Sequence, residues 1–272
     1  MRYRVSSSIE NFKPGLRRKY PNWKEWNWFV RYEPTVFFGM YHIGDVARLL
    51  WHLGKQTVFW CGSDILNMQK SPVLLFIVQG CNARHVCENE VERKALEEMG
   101  IYAEVKPQLF DVVACQSTQR KWEGRKQVYL SAHNERLLEY GVSQILEVAP
   151  RFPDIDFHFY GINLDAVPAT IAYDCFFYTN VFARSRVSHE QFLREITNYH
   201  CAVRLNEFDG FSEVLARSAL LGQYQISRIP YLHMFTAKDT HDLITSLKML
   251  ELVKEPNIKG QTYWLNKLSE KL

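Results

Sequence analysis

The residues best suited to chemistry lie in one stretch, Asp209-Gly210-Phe211-Ser212-Glu213, with Arg217 four residues further on. Cys201–Leu205 before it is short and β-prone, as is Tyr224–Ser227 after it, and Val214, Leu215, Ala219 and Leu220 between them share one helical face. This spacing predicts strand, glycine-containing turn, helix, strand. Such a turn opens a helix with unpaired backbone N–H groups at the positive end of its dipole, a setting that attracts an anion such as a diphosphate. Asp209 adds a carboxylate of the kind that caps a turn or a helix.

The elements around this stretch alternate between strand and helix. Tyr3–Ser7 reads as a weak strand, Thr35–Tyr41 as a buried strand, Gly44–Gly54 as an amphipathic helix and Thr57–Cys61 as a strand. Pro72–Gln79 reads as a buried helix, Ala83–Glu88 as a strand, Glu90–Met99 as a charged helix closed by Gly100, and Tyr102–Lys106 as a strand. The polar run Gln116–Lys126 is the linker candidate. Beyond it, strands are expected at Gln127–Ser131, Asp156–Gly161, Thr179–Phe182 and Cys201–Leu205. Helices are expected at Tyr140–Ala149, His189–Tyr199 and Asp239–Leu252, and a helix or loop at Ala169–Tyr173. The pattern predicts an α/β protein of two Rossmann-like parallel-sheet domains, residues 1–118 and 119–272, the last helix packing back on the first domain. Ligands of such folds bind at the carboxyl ends of the strands, so a cleft between the two sheets is the expected site.

Composition narrows the classes. The 272 residues are 47% hydrophobic and 23% charged, with a net charge of +3, which suits a soluble globular protein and gives no general nucleic-acid footprint. Six cysteines without a CxxC pair suggest neither a zinc site nor a disulfide framework and fit a reducing compartment. No stretch reads as a signal peptide, and the longest apolar run, Val73–Val78, falls short of the roughly 20 residues that span a bilayer. A cytoplasmic protein, peripheral to a membrane or free, is the expectation. In the first 34 residues Lys13, Arg17, Arg18, Lys19, Lys24 and Arg31 are interleaved with Tyr20, Trp23, Trp26, Trp28, Phe29 and Tyr32. Either these form a membrane-facing or polyanion-facing surface, or they form a surface helix whose tryptophans pack onto the sheet.

Several segments together resemble the two-domain GT-B glycosyltransferases, in particular the large retaining family 4. Trp60-Cys61-Gly62-Ser63-Asp64-Ile65 is similar to the family's W-x-G-S-D turn, and Val86–Glu90 through Leu96 to Val105 to its strand, helix and return. Tyr140–Ala149 with Pro153–Gly161, then Asn180–Phe182 with Arg186–Glu190, and finally Asp209–Ser227 follow in the family's order. The resemblance implies a donor site for a nucleoside-diphosphate sugar, with no cofactor beyond that substrate and no metal ligands. Asp209 and Asp64 are its implied catalytic residues, Asp64 facing the acceptor or bracing the loop that does. Gly210, Phe211, Ser212, Glu213, Arg217, Arg186, Val187, Ser188, Arg136, Tyr160 and Gly161 are its implied donor-binding residues. The backbone N–H groups of Phe211 to Glu213 are expected on phosphate oxygens, and Val187 and Ser188 near the nucleobase.

Two departures bear on activity. Arg217 stands where the family has a second carboxylate that holds the ribose hydroxyls, and a guanidinium offers only donors to a diol. Glu213, four residues earlier, either pairs with Arg217 or replaces that acceptor, or else Arg217 reaches a phosphate. The family's Arg and Lys after the first strand of the second domain are also missing, with Tyr140 in the lysine position, leaving Arg136, Arg184, Arg186, Arg204 and Arg217 as the available cations. The expected function is sugar transfer to a glycan or lipid-linked acceptor. The alternative is an impaired relative that binds nucleotide or glycan as a partner module, and a third reading is a DNA-base glycosyltransferase using the basic amino terminus.

Overall fold

A computed structural model of the chain describes residues 1–114, 121–270 and 272, in two compact units. Residues 116–120 of the expected linker lie outside the described residues. Unit 1 comprises Met1–Val113, Phe208–Phe211 and Lys267–Leu272, and unit 2 comprises Ala114–Glu207 and Ser212–Asn266. The linker's remaining residues are ordinary structure of unit 2, for Trp122 is buried and Lys126 begins a strand.

Unit 1 is a five-stranded parallel sheet in the order β1 (Arg2–Val5), β2 (Thr35–Phe38), β3 (Gln56–Phe59), β4 (Ala83–Cys87) and β5 (Ala103–Val105). Its helices are α1 (Lys13–Lys19), α2 (Ile43–Trp51), α3 (Ser63–Gln69), α4 (Pro72–Gly80) and α5 (Glu90–Glu98). Successive strand residues serve opposite cores: Phe37, Val58 and Cys87 join one cluster, and Phe38, Phe59 and Val86 the other. Burial on both faces explains the apolar run of β2, which is buried along its whole length. Helix α5 starts where expected because the Asn89 side chain accepts the N–H groups of Val91 and Glu92.

Two expectations for unit 1 need correction. Helix α4 is not a buried helix: Val78 is buried, but Val73 and Phe76 face solvent, since a run that is apolar all round does not say which face is covered. The first 34 residues hold no long surface helix either. Only the 3₁₀ turn Ser7–Phe12 and the short α1 are helical, and the aromatics divide between inside and outside. Tyr3 stacks on Trp23 and Tyr20, and Trp26 is buried with its Nε1–H donated to His52 Nδ1, whereas Trp28, Phe29 and Tyr32 are exposed.

Unit 2 is a six-stranded parallel sheet built from β6 (Lys126–Ser131), β7 (Ile155–Tyr160), β8 (Val181–Arg184), β9 (Cys201–Arg204), β10 (Tyr224–Ser227) and β11 (Phe235–Thr236), in the order β11-β10-β9-β6-β7-β8. Its helices are α6 (Leu137–Tyr140), α7 (Val142–Val148), α8 (Ala169–Phe177), α9 (His189–Ile196), α10 (Glu213–Leu220), α11 (Thr240–Leu252) and α12 (Ile258–Ser269), the last running on into the residues grouped with unit 1. The expected helix Tyr140–Ala149 is interrupted at Gly141, whose φ of 93° separates α6 from α7. From β6 the chain winds outward through β7 and β8, and from β9 outward the other way. The order therefore reverses between β6 and β9, the kind of switch point beside which open α/β sheets bind ligands. Among the described residues no helix is long and apolar enough to cross a membrane.

Candidate functional site

The switch point of unit 2 carries a concentration of positive charge. His133 follows β6, Arg186 follows β8 and Arg204 ends β9, so all lie at the carboxyl edge of the sheet. Burial and the fields of Arg186, Arg204 and Arg136, in that order, hold the His133 imidazole below its ordinary pKa. The guanidinium of Arg204 lies 4.0 Å from the centroid of the Tyr140 ring and reaches the Ser131 carbonyl at 3.4 Å. Tyr140, which takes the place of the expected lysine, is thus a platform that holds an arginine. Arg136 is exposed and paired with Glu139 on its own helical turn, which weakens its field. Sequence reasoning had Arg204 only among the available cations, because nothing local marks a strand's last residue as standing at a switch point.

The remaining residues expected in unit 2 divide into exposed and structural. Glu213 Oε1 accepts both Nε and Nη2 of Arg217 at 2.7 Å, so of the alternatives left open by the spacing the structure shows the pair. Ser212 precedes α10 without capping it through its side chain, which leaves the first-turn N–H groups of that helix uncapped by it. Ser188 instead caps α9, its Oγ accepting from the Gln191 N–H, and Val187 packs against the cluster around Tyr129 and Tyr160. Tyr160 is 2% exposed and its hydroxyl bonds Glu195 at 2.6 Å and Tyr199 at 2.8 Å, so it supports the sheet edge and offers no group to a ligand. Gly161 is required by its φ of 83° and by the Ala132 carbonyl, 2.3 Å from where a Cβ would stand.

In unit 1 the carboxyl edge of the sheet gathers acids. Asp64 is wholly buried: its Oδ2 accepts the Met40 N–H at 3.0 Å, and its Oδ1 accepts those of Cys61 and Ile65 at 2.9 and 3.0 Å. Burial raises its pKa to about 6 against the opposing pull of these donors. Of the two roles left open, bracing describes it; a carboxylate committed to three backbone donors and closed to solvent presents nothing to an acceptor.

The segment Phe208–Phe211 packs on the same edge. The Phe211 N–H donates to Glu88 Oε2 at 3.0 Å, Asn89 Nδ2 donates to the Asp209 carbonyl at 2.8 Å, and the Glu88 N–H donates to Glu92 Oε2 at 2.6 Å. The expectation that the Phe211 N–H takes a phosphate oxygen is therefore corrected, since a carboxylate of this chain already holds it. Burial, first of all, drives Glu88 and Glu92 well above the ordinary carboxylate range. Lys19, which the sequence placed in a basic surface, is instead half-buried with its ammonium on Gln108 Oε1 and the Leu109 carbonyl. Burial lowers its pKa to about 8, and the charge of Glu88 opposes that shift. No local pattern could reveal Glu88 as the clamp, because its partner is 123 residues away.

A Cβ at Gly210 would stand 2.1 Å from Glu88 Oε2, so the glycine is required by the clamp. Gly210→Ala is expected to lower stability by roughly 1–3 kcal/mol. Urea unfolding should show most of that loss disappearing in a Glu88→Ala background. An equal loss in both backgrounds would place the strain elsewhere. Among the described residues no group of three or more His, Cys, Asp or Glu side chains could hold a metal ion.

Solved structures resemble this arrangement. The lipopolysaccharide outer core galactosyltransferase WaaB in its apo form superposes with a TM-score of 0.65 at 10% identity, covering 99% of this chain and 97% of that one. TarM gives a TM-score of 0.62 at 12% identity, over 86% of this chain and 51% of TarM. The pneumococcal O-GlcNAc transferase GtfA, solved with UDP and GlcNAc, gives 0.58 at 12% identity, over 86% and 54%. The fold is GT-B. At these identities the likeness is one of fold alone, and the chain spans about half the length of TarM and of GtfA. No protein-family model and no curated protein matches the sequence.

Proposed function

We propose that the protein is a glycosyltransferase that takes its sugar from a nucleoside diphosphate and delivers it to a hydroxyl of a glycan or lipid-linked acceptor. The observation that carries this reading is the cluster of Arg136, Arg186 and Arg204 about His133 at the sheet's switch point. A departing diphosphate accumulates negative charge, and a cation held in place, as Arg204 is by Tyr140 and Ser131, stabilises it more as the bond breaks than before. WaaB, TarM and GtfA share the fold, and the GtfA structure holds UDP.

In this reading Arg204, held by Tyr140 and Ser131, and Arg186 receive the diphosphate, and the N–H groups at the start of α10, which the Ser212 side chain does not cap, add donors. Val187 and Ser188 border the nucleobase, and Asp209 orients hydroxyls of the donor sugar. We assign retention of anomeric configuration, the leaving phosphate accepting the acceptor's proton on the face it departs from, without a required metal ion. No protein base is then needed.

A second reading rests on the Glu213–Arg217 pair. If the carboxylate that would hold the ribose is committed to an arginine, the chain is a binding module without turnover. Thermal-shift screening against UDP, GDP, ADP and CDP sugars, followed by donor turnover, decides between them. The enzyme reading expects stabilisation by one donor class and a product whose anomeric proton keeps the donor's configuration by NMR. An inverted product contradicts retention. Binding without turnover, with turnover appearing in Arg217→Glu, favours the module.

A further inference from the structure

Six large side chains of unit 1, Trp28, Phe29, Tyr32, Leu50, Trp51 and Leu53, stand in water together, Phe29 at 95% exposure. They adjoin the amino-terminal ends of β2 and β3, the sheet edge opposite Gly62 and Glu88. One set of contacts ties them into a patch. Trp51 Nε1 donates to the Trp28 carbonyl at 3.1 Å, the two indoles meet edge to face at 6.1 Å, and the Leu53 N–H donates to the Arg31 carbonyl at 2.7 Å. The Arg31 guanidinium lies 3.9 Å from the Trp51 ring centroid, and that of Arg48 5.4 Å from Trp28.

The charge of this patch has one sign. Arg31, Arg48 and Lys55 make no ion pair among the described residues, while the nearby acids are already engaged, Glu33 by Arg2 and Glu25 by Lys13 and Arg17. A groove of about 770 Å³ opens beside Leu50 and Leu53, with Lys55 on its lining.

We propose that this patch docks on an anionic lipid bilayer. The indole N–H of Trp51 is satisfied within the protein, so its ring can enter an apolar layer at little polar cost. Arginines laid on the rings keep their charge at the level of the lipid phosphates while the aromatics sit at the interface, and Phe29 on its loop reaches furthest. A second copy of the chain fits poorly, because a two-fold contact would set Arg31 and Lys55 against their own equivalents without an acidic counterpart. The proposal stands independently of the sugar-transfer reading.

Co-sedimentation of the full chain with phosphatidylcholine vesicles, with and without about a third phosphatidylglycerol, tests it. The chain is expected to bind only the anionic vesicles, more weakly as salt rises, with blue-shifted tryptophan emission. Phe29→Ser and Lys55→Gln, both on exposed side chains, should leave the melting temperature unchanged and each weaken binding about tenfold. Absence of binding to anionic vesicles at low salt overturns the proposal. So does binding that Phe29→Ser leaves intact, or a dimer in ultracentrifugation that the same variants dissolve.

Discussion

Asp64→Ala is expected to destabilise the protein by roughly 2–5 kcal/mol, a larger loss than that of Gly210→Ala, because it strands the N–H groups of Met40 and Cys61, whereas the Ile65 N–H keeps the Gly62 carbonyl at 3.0 Å. Asp64→Asn rescues this only in part, since an amide has one acceptor oxygen and the three donors approach both positions. The carboxylate also gives stability a pH dependence whose sign is fixed. Its folded pKa, about 6, lies above the ordinary aspartate value of 3.8, so between these values the folded state binds more protons than the unfolded. Stability from this group is therefore fully present below about pH 4 and is lost as pH rises through 6, by about 3 kcal/mol. Urea unfolding between pH 4 and 7 should show that decline in the wild type and lack this component in Asp64→Asn. A wild type that gains stability from this residue over the same range would contradict the account.

The second large effect concerns turnover. Arg204→Ala removes a cation that Tyr140 and Ser131 hold in place, and kcat/KM for the donor is expected to fall about 10²- to 10³-fold. Arg204→Lys should recover part of this, because a lysine restores the charge but neither the flat stacking on the ring nor the forked donors. Arg136→Ala should cost about tenfold or less, its charge being exposed and offset by Glu139. Steady-state kinetics on the three variants gives the ranking. If Arg136→Ala is the most damaging, Arg204 is not the cation that receives the diphosphate.

Much of the fold was legible because parallel strands buried on both faces carry short apolar runs, as residues 36–38 of β2 and 128–130 of β6 do. Helix α12 escaped notice because Gly260 and the polar residues of Ile258–Ser269 dilute a narrow buried stripe of which Trp264 and Leu268 are the apolar members. The strand expected at Thr179–Phe182 begins two residues later, for Asn180 turns its side chain onto the carbonyls of Ala149, Phe152 and Ile155. The site was less legible than the fold. The family resemblance marked Asp64 and Asp209 and the residue types marked the arginines, but whether a carboxylate faces a ligand or a set of backbone donors depends on what other strands bring to it. Glu88 and Lys19 show the converse, a clamp and a half-buried ammonium that their neighbours in the chain do not announce.

Titration calorimetry of UDP, GDP, ADP and CDP onto the wild type and onto Arg204→Ala separates a nucleotide-binding switch point from an incidental cluster of arginines. One of these nucleotides is expected to bind the wild type, and Arg204→Ala to weaken that binding at least about tenfold while the protein remains folded. Failure of all four to bind at millimolar concentration, or equal binding by the two proteins, would contradict that expectation.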